Sequence, residues 1–330
     1  CMAWAIDDGL VQLWHPGLDK DINEVRRLNA ALDHIVHGAG PWKGGTVIAH
    51  NAAFELAIWN HIMVPRYGWP ELKIEQTYCT MAMAYAMALP GSLEKAAAAV
   101  GIEAQKDMAG HRVMMQLSKP RDFDAAGNPI WWNDPAKLDH LYRYCKQDIE
   151  VERQLYKRLL PLSPAERRLW ILDQKINNRG VQIDVDAARK AVALVDAEKK
   201  RLDAEMRKVT GNAVATCTAT GRLTDWLRWR GVEVASVAKA DVLELLAGPL
   251  PDDCRRALLL RQEAAKSSTA KLDAMIEVAA IDGRARGLFQ YHGAGTGRWA
   301  GRKIQTQNLQ RPKLAQEDIE GVFEILGEVA

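Results

Sequence analysis

The sequence lacks the features of a membrane protein, of a secreted disulfide-bonded protein and of a zinc protein. No apolar run approaches the roughly 18–20 residues that a membrane span needs. No basic region precedes an apolar core and a small-residue cleavage site near the first residue. The five cysteines are scattered and form no CxxC pair, which argues against zinc and for a reducing cytoplasm. Internal repeats and low-complexity linkers are also absent from the sequence.

Acidic residues are missing from one stretch, residues 284–313, although the whole chain is nearly neutral. The 330 residues include 44 Lys and Arg and 42 Asp and Glu, a formal net charge of +2, with 48% hydrophobic and 26% charged residues. The basic residues of the stretch are Arg284, Arg286, Arg298, Arg302, Lys303, Arg311 and Lys313. Such a stretch fits contact with nucleic-acid phosphates, and it fits a solvated charged loop equally well.

The pattern of the first 160 residues predicts an α/β domain. Short apolar runs on either side of Asp7-Asp8-Gly9 predict a β-hairpin, and Thr46–Ala49 has the composition of a buried strand. A helix that packs on this strand is predicted over Ala52–Ile62, with Phe54 among its apolar positions. Further helices are predicted over Thr80–Leu89, Ser92–Val100 and Lys137–Leu159, with a loop over Asp124–Pro135. Strands followed by alternating helices are typical of an α/β fold.

Beyond Pro161 and Pro164, the pattern changes to helices. Val181–Ile183 is extended, and Leu288–His292 alternates like a strand. Helices are predicted over Pro164–Asn178, from Asp184 or Asp186 to about Val209, and over Thr224–Trp229, Lys239–Leu246, Asp252–Leu260, Arg261–Ala280 and Ile319–Val329. We therefore divide the chain into residues 1–160, 161–285 and 286–330. Because the chain begins on a strand-like run at Cys1 and not at Met, we expect a fragment of a longer protein.

Two short patterns in the first region carry side chains suited to metal chemistry. His50-Asn51-Ala52-Ala53-Phe54-Glu55 lies where the predicted strand passes into a helix. Tyr144 and Asp148 are four residues apart on the long helix and share one face. A phenol and a carboxylate on one face can hold a metal ion and orient its water. Each pattern also fits an ordinary role, Tyr144 as a half-buried packing residue and Asp148 as part of a solvated helix face.

The basic stretch contains a characteristic order of residues. Residues 293–302 read GAGTGRWAGR, and residues 307–312 read QNLQRP. Glycines let the backbone approach a ligand closely, Arg is a good partner for phosphates and groove acceptors, and Asn and Gln amides can donate to base or sugar edges. Without a ligand, the same segment would be a Gly-rich β-hairpin.

In their order, these patterns resemble the motifs of family A DNA polymerases of the phage type, over nearly the whole chain. Residues 50–55 and 144–148 are similar to the second and third motifs of DEDD-type 3′–5′ exonucleases with the tyrosine variant of the last motif. The resemblance implies an RNase H-like fold with a mixed sheet, and four carboxylates that hold two Mg²⁺ or Mn²⁺ ions. It implies that Glu55 and Asp148 are metal ligands, that Tyr144 orients the attacking water and that Asn51 lies beside the substrate strand.

The segment near the C-terminus resembles the start of the polymerase palm. This resemblance implies that Arg298 contacts the minor groove near the primer terminus, with Thr296, Asn308 and Gln310 along the template–primer path. Residues 266–272 resemble a thumb element that grips the DNA backbone, and residues 178–184 resemble the turn between exonuclease and thumb. The residues of the thumb element that the resemblance assigns to DNA contact are Lys266, Ser267, Ser268, Thr269 and Lys271.

The sequence departs from the family in three ways. The first exonuclease motif, Asp-x-Glu, is absent, since Asp7-Asp8-Gly9 lies in a predicted turn with no Glu two positions on. The family more often has Asp where Glu55 stands. The palm aspartates and the fingers helix of the family have no counterpart in the 330 residues. We therefore expect an incomplete metal site, weak or absent exonuclease activity and no polymerase activity for the chain by itself.

The resemblance thus implies a fragment of a DNA-directed DNA polymerase, a nucleotidyltransferase with proofreading that acts in DNA replication. It would comprise a truncated exonuclease domain (1–160), a helical thumb region (161–285) and a short β edge of the palm (286–330). The expected partners are primer–template duplex, a single-stranded 3′ end and deoxynucleotides, in the cytoplasm of a bacterium or of a phage-infected host. Two alternatives remain: a DNA-binding module with a degenerate exonuclease scaffold, and a stand-alone DEDD nuclease acting on RNA, which the helical second half disfavours.

Overall fold

The computed structural model of the chain describes residues 1–18, 21–38, 44–103, 107–265, 270–309 and 314–328. The chain divides into two compact units. The first unit consists of residues 1–176 and 289–300, and the second of residues 177–288 and 301–330. Each unit has its own buried apolar core. Among the described residues, no helix is both long and apolar enough to cross a lipid bilayer.

The first unit contains short strands and a larger number of helices. Its strands are β1 (Met2–Trp4), β2 (Gln12–Trp14), β3 (Val47–Ala49), β4 (Thr77–Cys79), β5 (Asp122–Phe123) and β6 (Pro129–Ile130). Its helices are α1 (Ile22–His37), α2 (Ala52–Ile58), α3 (Val64–Tyr67), α4 (Thr80–Ala86), α5 (Leu93–Ala99), α6 (Met108–Leu117), α7 (Pro135–Arg158) and most of α8 (Pro164–Arg179). The predicted hairpin around Asp7-Asp8-Gly9 is confirmed, with β1 antiparallel to β2.

The described strands pair two by two. β3 is parallel to β4, with Val47 opposite Thr77 and Ala49 opposite Cys79, and β5 is antiparallel to β6. The single mixed sheet expected for an RNase H-like fold is not formed by the described residues, because each strand is at most three residues long and bonds to one neighbour. The hairpin formed by β5 and β6 lies in the region predicted as a loop, where its turn is closed by an Asp124 N to Asn128 O bond of 2.9 Å.

Helix α2 follows the predicted strand as expected, but its apolar residues divide between two faces. Leu56 and Trp59 are buried, whereas Phe54 is 61% exposed and Ile58 is 43% exposed. The regular helix ends at Ile58, and the chain continues as a π-helical turn over Trp59–Met63. The prediction that Phe54 packs in the core is therefore wrong: positions 54 and 58, four residues apart, share the face that points away from the core.

Helix α7, with 24 residues, is the longest described helix of the first unit. It packs against α4, α5, α6 and β1, and Asp134 caps its first turn by accepting from Ala136 N at 3.0 Å. Leu155 is fully buried near its end, in a cluster with Met83, Ala96 and Ala97. The side chains of α7 therefore project from a helix that contacts α4, α5, α6 and β1.

Helix α8 lies after the predicted boundary at residue 160, yet its first thirteen residues belong to the first unit. Trp170 and Ile171 are buried with Ala49, Ala52 and Cys79 of the strand–helix layer. Arg167, 6% exposed, donates to the Glu75 carbonyl at 2.6 Å and stacks over the Tyr78 ring at 4.2 Å. The compact unit therefore extends past Pro161 and Pro164, because apolar and polar contacts of α8 join it to β3 and β4.

The second unit is mainly helical. Its helices are α9 (Val185–Val209), α10 (Thr220–Trp229), α11 (Lys239–Ala247), α12 (Asp252–Ala264), α13 (Ala270–Val278) and α14 (Gln316–Glu328), and β7 (Val181–Gln182) is antiparallel to β8 (Arg284–Ala285). Asp184 is the residue that caps α9, accepting from Ala187 N at 2.9 Å. The core clusters Leu202 and Met206 of α9 with α10, α11 and α12.

One predicted helix of this unit is wrong in its bounds. Residues 261–280 were expected to form one helix, but α12 runs on past Leu260 to Ala264 and a separate helix, α13, begins at Ala270. The four polar residues at 266–269, Lys-Ser-Ser-Thr, interrupt the apolar spacing between these two helices, so the sequence contained a sign that the prediction did not use. In the first unit, the strand β9 (Phe289–Gln290) is shorter than the predicted run Leu288–His292. A further two-residue strand is β10 (Ala300–Gly301).

Candidate nuclease and nucleic-acid sites

Three polar side chains follow one another along one face of α7. Tyr144, Asp148 and Glu152 are spaced by four residues, so that the helix places them on a common stripe. All three are partly buried, and the Tyr144 hydroxyl donates a hydrogen bond to the Asp148 carboxylate. The structure thus brings together the two predicted residues of this helix and adds Glu152.

These acids lie where ionisation is unfavourable. Burial raises the pKa of Asp148 to about 6, despite the opposing hydrogen bond from Tyr144. Burial, with the Asp148 charge and hydrogen bond, raises the pKa of Tyr144 to about 12. The phenol therefore stays neutral at physiological pH and serves as a donor to the carboxylate.

Glu55 lies in the first turn of α2 and, with Tyr144, Asp148 and Glu152, makes up what we call the acidic group. The residue is exposed, and partial desolvation of its carboxylate raises its pKa to about 7. Its charge, together with that of Asp148, adds to burial in raising the pKa of Glu152 to about 8. Glu152 is therefore the side chain that couples electrostatically to both predicted carboxylates.

A hydrogen-bonded chain connects Glu152 to the strand–helix junction. His50 Nε2 lies 2.8 Å from the Gly91 carbonyl oxygen, which can only accept, so Nε2 carries the proton. His50 Nδ1 is then an acceptor 2.9 Å from Thr80 Oγ1, and Glu152 Oε1 lies 3.4 Å from the same hydroxyl. Because the hydroxyl has a single proton, Thr80 donates to only one of these two acceptors at a time. Burial lowers the pKa of His50, so the imidazole is neutral and the chain fixes its tautomer.

A second acid–histidine pair lies beside Tyr144. Asp107 caps α6 by accepting from Gly110 N at 2.7 Å, and its other oxygen accepts from His140 Nε2 at 2.7 Å. The backbone bond from Gly110 and then the His140 bond lower the pKa of Asp107. The Asp107 charge in turn raises the pKa of Tyr144 and of Asp148, while His111 lowers the pKa of Asp148.

The described side chains do not fit a complete two-metal centre. Carboxylate oxygens are suitable ligands for Mg²⁺ or Mn²⁺, and burial is the main cause of the raised pKa values of Glu55, Asp148 and Glu152. However, within the described ranges no group of three or more His, Cys, Asp or Glu side chains is arranged to hold a metal ion. Glu55 and Asp148 therefore have the right chemistry, but not the number of neighbours that a metal cage requires.

Asn51 lies directly before α2, the helix that carries Glu55. It precedes α2 with φ 65° and ψ 46°, a left-handed conformation that Asn tolerates better than most residues. Its side chain makes no capping hydrogen bond to the helix and is exposed. The place of the amide beside a substrate strand stays a prediction, while the backbone carbonyl accepts from Phe54 N at 2.8 Å.

The Gly-rich loop between β9 and β10 forms a tight turn. Ala294 N donates to Arg298 O at 3.1 Å and Gly297 N to Ala294 O at 2.9 Å. Gly297 has φ +76°, where a side chain would be strained. Thr296 and Arg298 are both exposed on this turn, so the turn geometry leaves the predicted DNA-contacting guanidinium available to a ligand.

Lys271 has a role that its charge did not indicate. Its ammonium donates to the carbonyl oxygens of Ile304 at 3.1 Å and of Gln305 and Asn308 at 3.4 Å. The predicted phosphate contact would compete with these three bonds, so the structure gives Lys271 a role in holding residues 304–308. Asn308 is exposed, and its amide nitrogen donates to Gln305 Oε1 at 2.9 Å. The other predicted DNA contacts of this half lie outside the described residues: Lys266, Ser267, Ser268, Thr269 and Gln310.

Sequence reasoning missed Glu152 as a member of the acidic group, and His50 and Asp107 as residues beside it. The signal for Glu152 was present, since it continues the four-residue spacing from Tyr144 through Asp148. His50 meets Thr80 across 30 residues, and Asp107 meets His140 across 33 residues. Pairs this distant in sequence show no local pattern.

The sequence is similar to that of a viral replication enzyme. No protein-family model matches the chain. Among curated proteins, the DNA polymerase of Bacillus phage SP02 is 40% identical over 250 residues, which are 74% of this chain and 38% of the phage protein. The chain therefore spans well under half the length of that relative.

The fold is similar to that of a polymerase domain. Among solved structures, the POL domain of Pol1 from M. smegmatis, in a complex with DNA primer-template and dNTP, matches with a TM-score of 0.52. The match covers 93% of this chain and 48% of that chain, at 15% sequence identity. At this identity the likeness concerns the fold, and it includes nearly the whole chain.

Proposed function

We propose that this chain is part of a family A DNA polymerase of the phage type and that it binds primer–template DNA. It comprises a 3′–5′ exonuclease domain related to RNase H, a helical thumb and the beginning of the palm, with its predicted boundaries near residues 160 and 285. The observation that carries the proposal is the 40% identity to a phage DNA polymerase over 250 residues. The fold likeness to a polymerase domain supports it independently.

The second support is the exposed Arg298 on its turn. In the proposed enzyme Arg298 contacts the minor groove at the primer terminus, with Thr296, Asn308 and Gln310 along the duplex. An Arg at a groove edge discriminates by the geometry of its hydrogen bonds, which a mismatched terminus distorts. Lys266, Ser267, Ser268 and Thr269 supply backbone contacts from the thumb.

The nuclease centre of the longer enzyme includes the acidic group on α7 and α2. Glu55 and Asp148 would contribute oxygen ligands to a bound Mg²⁺ or Mn²⁺, which would supply an activated water, and the Tyr144 hydroxyl would orient that water. Asn51 lies beside the single-stranded 3′ end. Deoxynucleotides bind the remainder of the longer enzyme, which works in the cytoplasm of a bacterium or of a phage-infected host.

Fluorescence anisotropy with a labelled primer–template tests the DNA assignment on the 330-residue chain. The chain is expected to bind a matched 3′ terminus more tightly than a mismatched one. Arg298→Ala should reduce this preference by about 1–3 kcal/mol, more than it reduces total binding. Arg222→Ala, at an exposed arginine of α10, is the control and should leave the preference intact. Equal effects of the two variants would contradict the assignment.

Incubation of the chain with single-stranded DNA and Mg²⁺ tests the nuclease part. The chain alone should degrade the strand weakly or not at all, because two carboxylates do not make a two-metal centre. Metal-dependent 3′–5′ degradation that Asp148→Ala abolishes would show that the present residues suffice. A chain that binds duplex but lacks any polymerase sequence beside it in its gene would favour the alternative, a DNA-binding module with a degenerate exonuclease scaffold.

A further inference from the structure

We propose that Glu166 and Asp173 of α8 are positioning residues for the loop that carries Arg298. The inference rests on the proposed function, because the task of Arg298 is the discrimination of the primer terminus. It goes further by naming the residues that set the placement of the guanidinium. All the contacts that carry it lie within the first unit.

The two acids hold the two ends of the loop. At the first end, the Tyr291 hydroxyl donates to Glu166 Oε1 at 2.6 Å, and His292 Nε2 lies 3.3 Å from the same oxygen. At the second end, Trp299 Nε1 donates to Asp173 Oδ1 at 2.7 Å. Six residues separate His292 from Trp299, and the turn with Arg298 lies among them.

The α8 residues around these contacts are closely packed. Glu166 and Asp173 are seven residues apart, which is two helical turns, so they lie on one face of α8. Trp170 lies between them and is 3% exposed, and Asp173 itself is 4% exposed. A carboxylate buried to this degree is stable only while it is hydrogen-bonded. Asp173 therefore fixes the position of its donors.

The loop side is held by ring contacts as well. Tyr291, 4% exposed, stacks on His292 with a centroid distance of 4.3 Å and meets the Trp299 ring edge-on at 6.1 Å. The two ends of the loop therefore touch each other and the same helix. Arg298 therefore lies between Gly297, which closes the turn, and Trp299, whose indole nitrogen donates to Asp173.

The test removes each anchor and asks whether the effect passes through Arg298. Trp299→Phe keeps an aromatic ring but removes the N–H donor, and Asp173→Ala removes its acceptor from the helix side. Each is expected to reduce the preference of the 330-residue chain for a matched over a mismatched primer terminus about threefold to tenfold. Asp173→Ala also removes the acceptor of the Gln174 side chain at 2.9 Å, so the combined variant should reduce the preference no more than Asp173→Ala alone, because the Trp299 bond is already broken there.

In the Arg298→Ala background, Trp299→Phe should have no further effect on the preference. Trp229→Phe, at a tryptophan 77% exposed on α10, is the matched control and should change neither the preference nor the melting temperature. If Trp299→Phe lowers the melting temperature by many degrees, Tyr291→Phe replaces it, because it removes one hydroxyl and keeps the buried ring.

Unchanged preference in Trp299→Phe, Asp173→Ala and Tyr291→Phe, with a loss in Arg298→Ala, would overturn the inference and leave the proposed function standing. Full additivity of Trp299→Phe with Arg298→Ala would overturn it too, because the anchors would then act independently of the guanidinium. If Arg298→Ala itself has no effect, the assignment of Arg298 to the primer terminus fails and the inference fails with it.

Discussion

Replacement of Glu152 by Gln should make the chain more stable at alkaline pH. Glu152 has a pKa of about 8 in the folded chain, against an ordinary value of 4.5, because of burial and of the Glu55 and Asp148 charges. Between these two pH values the folded chain keeps a proton that the unfolded chain has lost. The free energy of unfolding therefore falls as pH rises through this window. An uncharged Gln removes this contribution.

The size of the effect follows from the same two values. Each pH unit between 4.5 and about 8 lowers the free energy of unfolding by about 1.4 kcal/mol. The loss over the whole pH range is therefore at most about 5 kcal/mol. Ionised Glu55 and Asp148 share part of the repulsion, which lowers the amount that Glu152 alone controls. We expect the free energy of unfolding of Glu152→Gln to be higher than that of the unchanged chain by at least about 2 kcal/mol at pH 8.5. At pH 5 the two free energies should differ little.

Urea unfolding monitored by tryptophan fluorescence, at several pH values, measures this difference. The fit allows a separate transition for each unit, because two compact units need not unfold together. Glu150→Gln is the matched control: it removes the same charge from the same helix, but its carboxylate is 44% exposed and pairs with Arg153. Parallel pH profiles for Glu152→Gln and the unchanged chain would refute the reasoning, as would an equal shift in the control.

Two further predictions follow from the contacts of α8 and α13. Lys271→Met keeps the aliphatic stem but removes the three bonds to residues 304–308. The substitution should increase hydrogen exchange of the amides in residues 304–308. Unchanged exchange would show that the Lys271 ammonium does not hold this segment. In Arg167→Lys, the ammonium lacks the planar guanidinium that bonds to the Glu75 carbonyl while it stacks on Tyr78. The free energy of unfolding of the first unit in urea should fall by about 2 kcal/mol. A loss below about 0.5 kcal/mol would contradict the importance of these contacts.

The local features of the fold were predictable because their signals are local. The hairpin around Asp7-Asp8-Gly9 and the shared face of Tyr144 and Asp148 depend on neighbours within a few residues. The end of α12 at Ala264 was missed although a local sign exists, since the polar residues Lys-Ser-Ser-Thr at 266–269 interrupt the apolar spacing just beyond it. Phe54 was misplaced because Phe54 and Ile58 form one apolar pair four residues apart while Ala52 and Leu56 form another, and the sequence does not show which pair meets the core.

The acidic group was half predictable for a similar reason. Tyr144, Asp148 and Glu55 follow from motifs, whereas the bonds of His50 to Thr80 and of Asp107 to His140 form only when distant segments meet. Lys271 shows the limit of charge as evidence. Its positive charge fits phosphate, but the nearest oxygen atoms in the structure are backbone carbonyls of its own chain. Which partner a charge takes depends on tertiary distances.

The most direct test of the account is the affinity of the 330-residue chain for primer–template DNA as the salt concentration changes. Phosphate contacts release counterions, so the logarithm of the association constant should fall linearly with the logarithm of the salt concentration. We expect weak binding with this steep fall, and a preference for DNA primer–template over single-stranded RNA of equal length. Absence of binding at low salt, affinity independent of salt, or a preference for the RNA strand would contradict it.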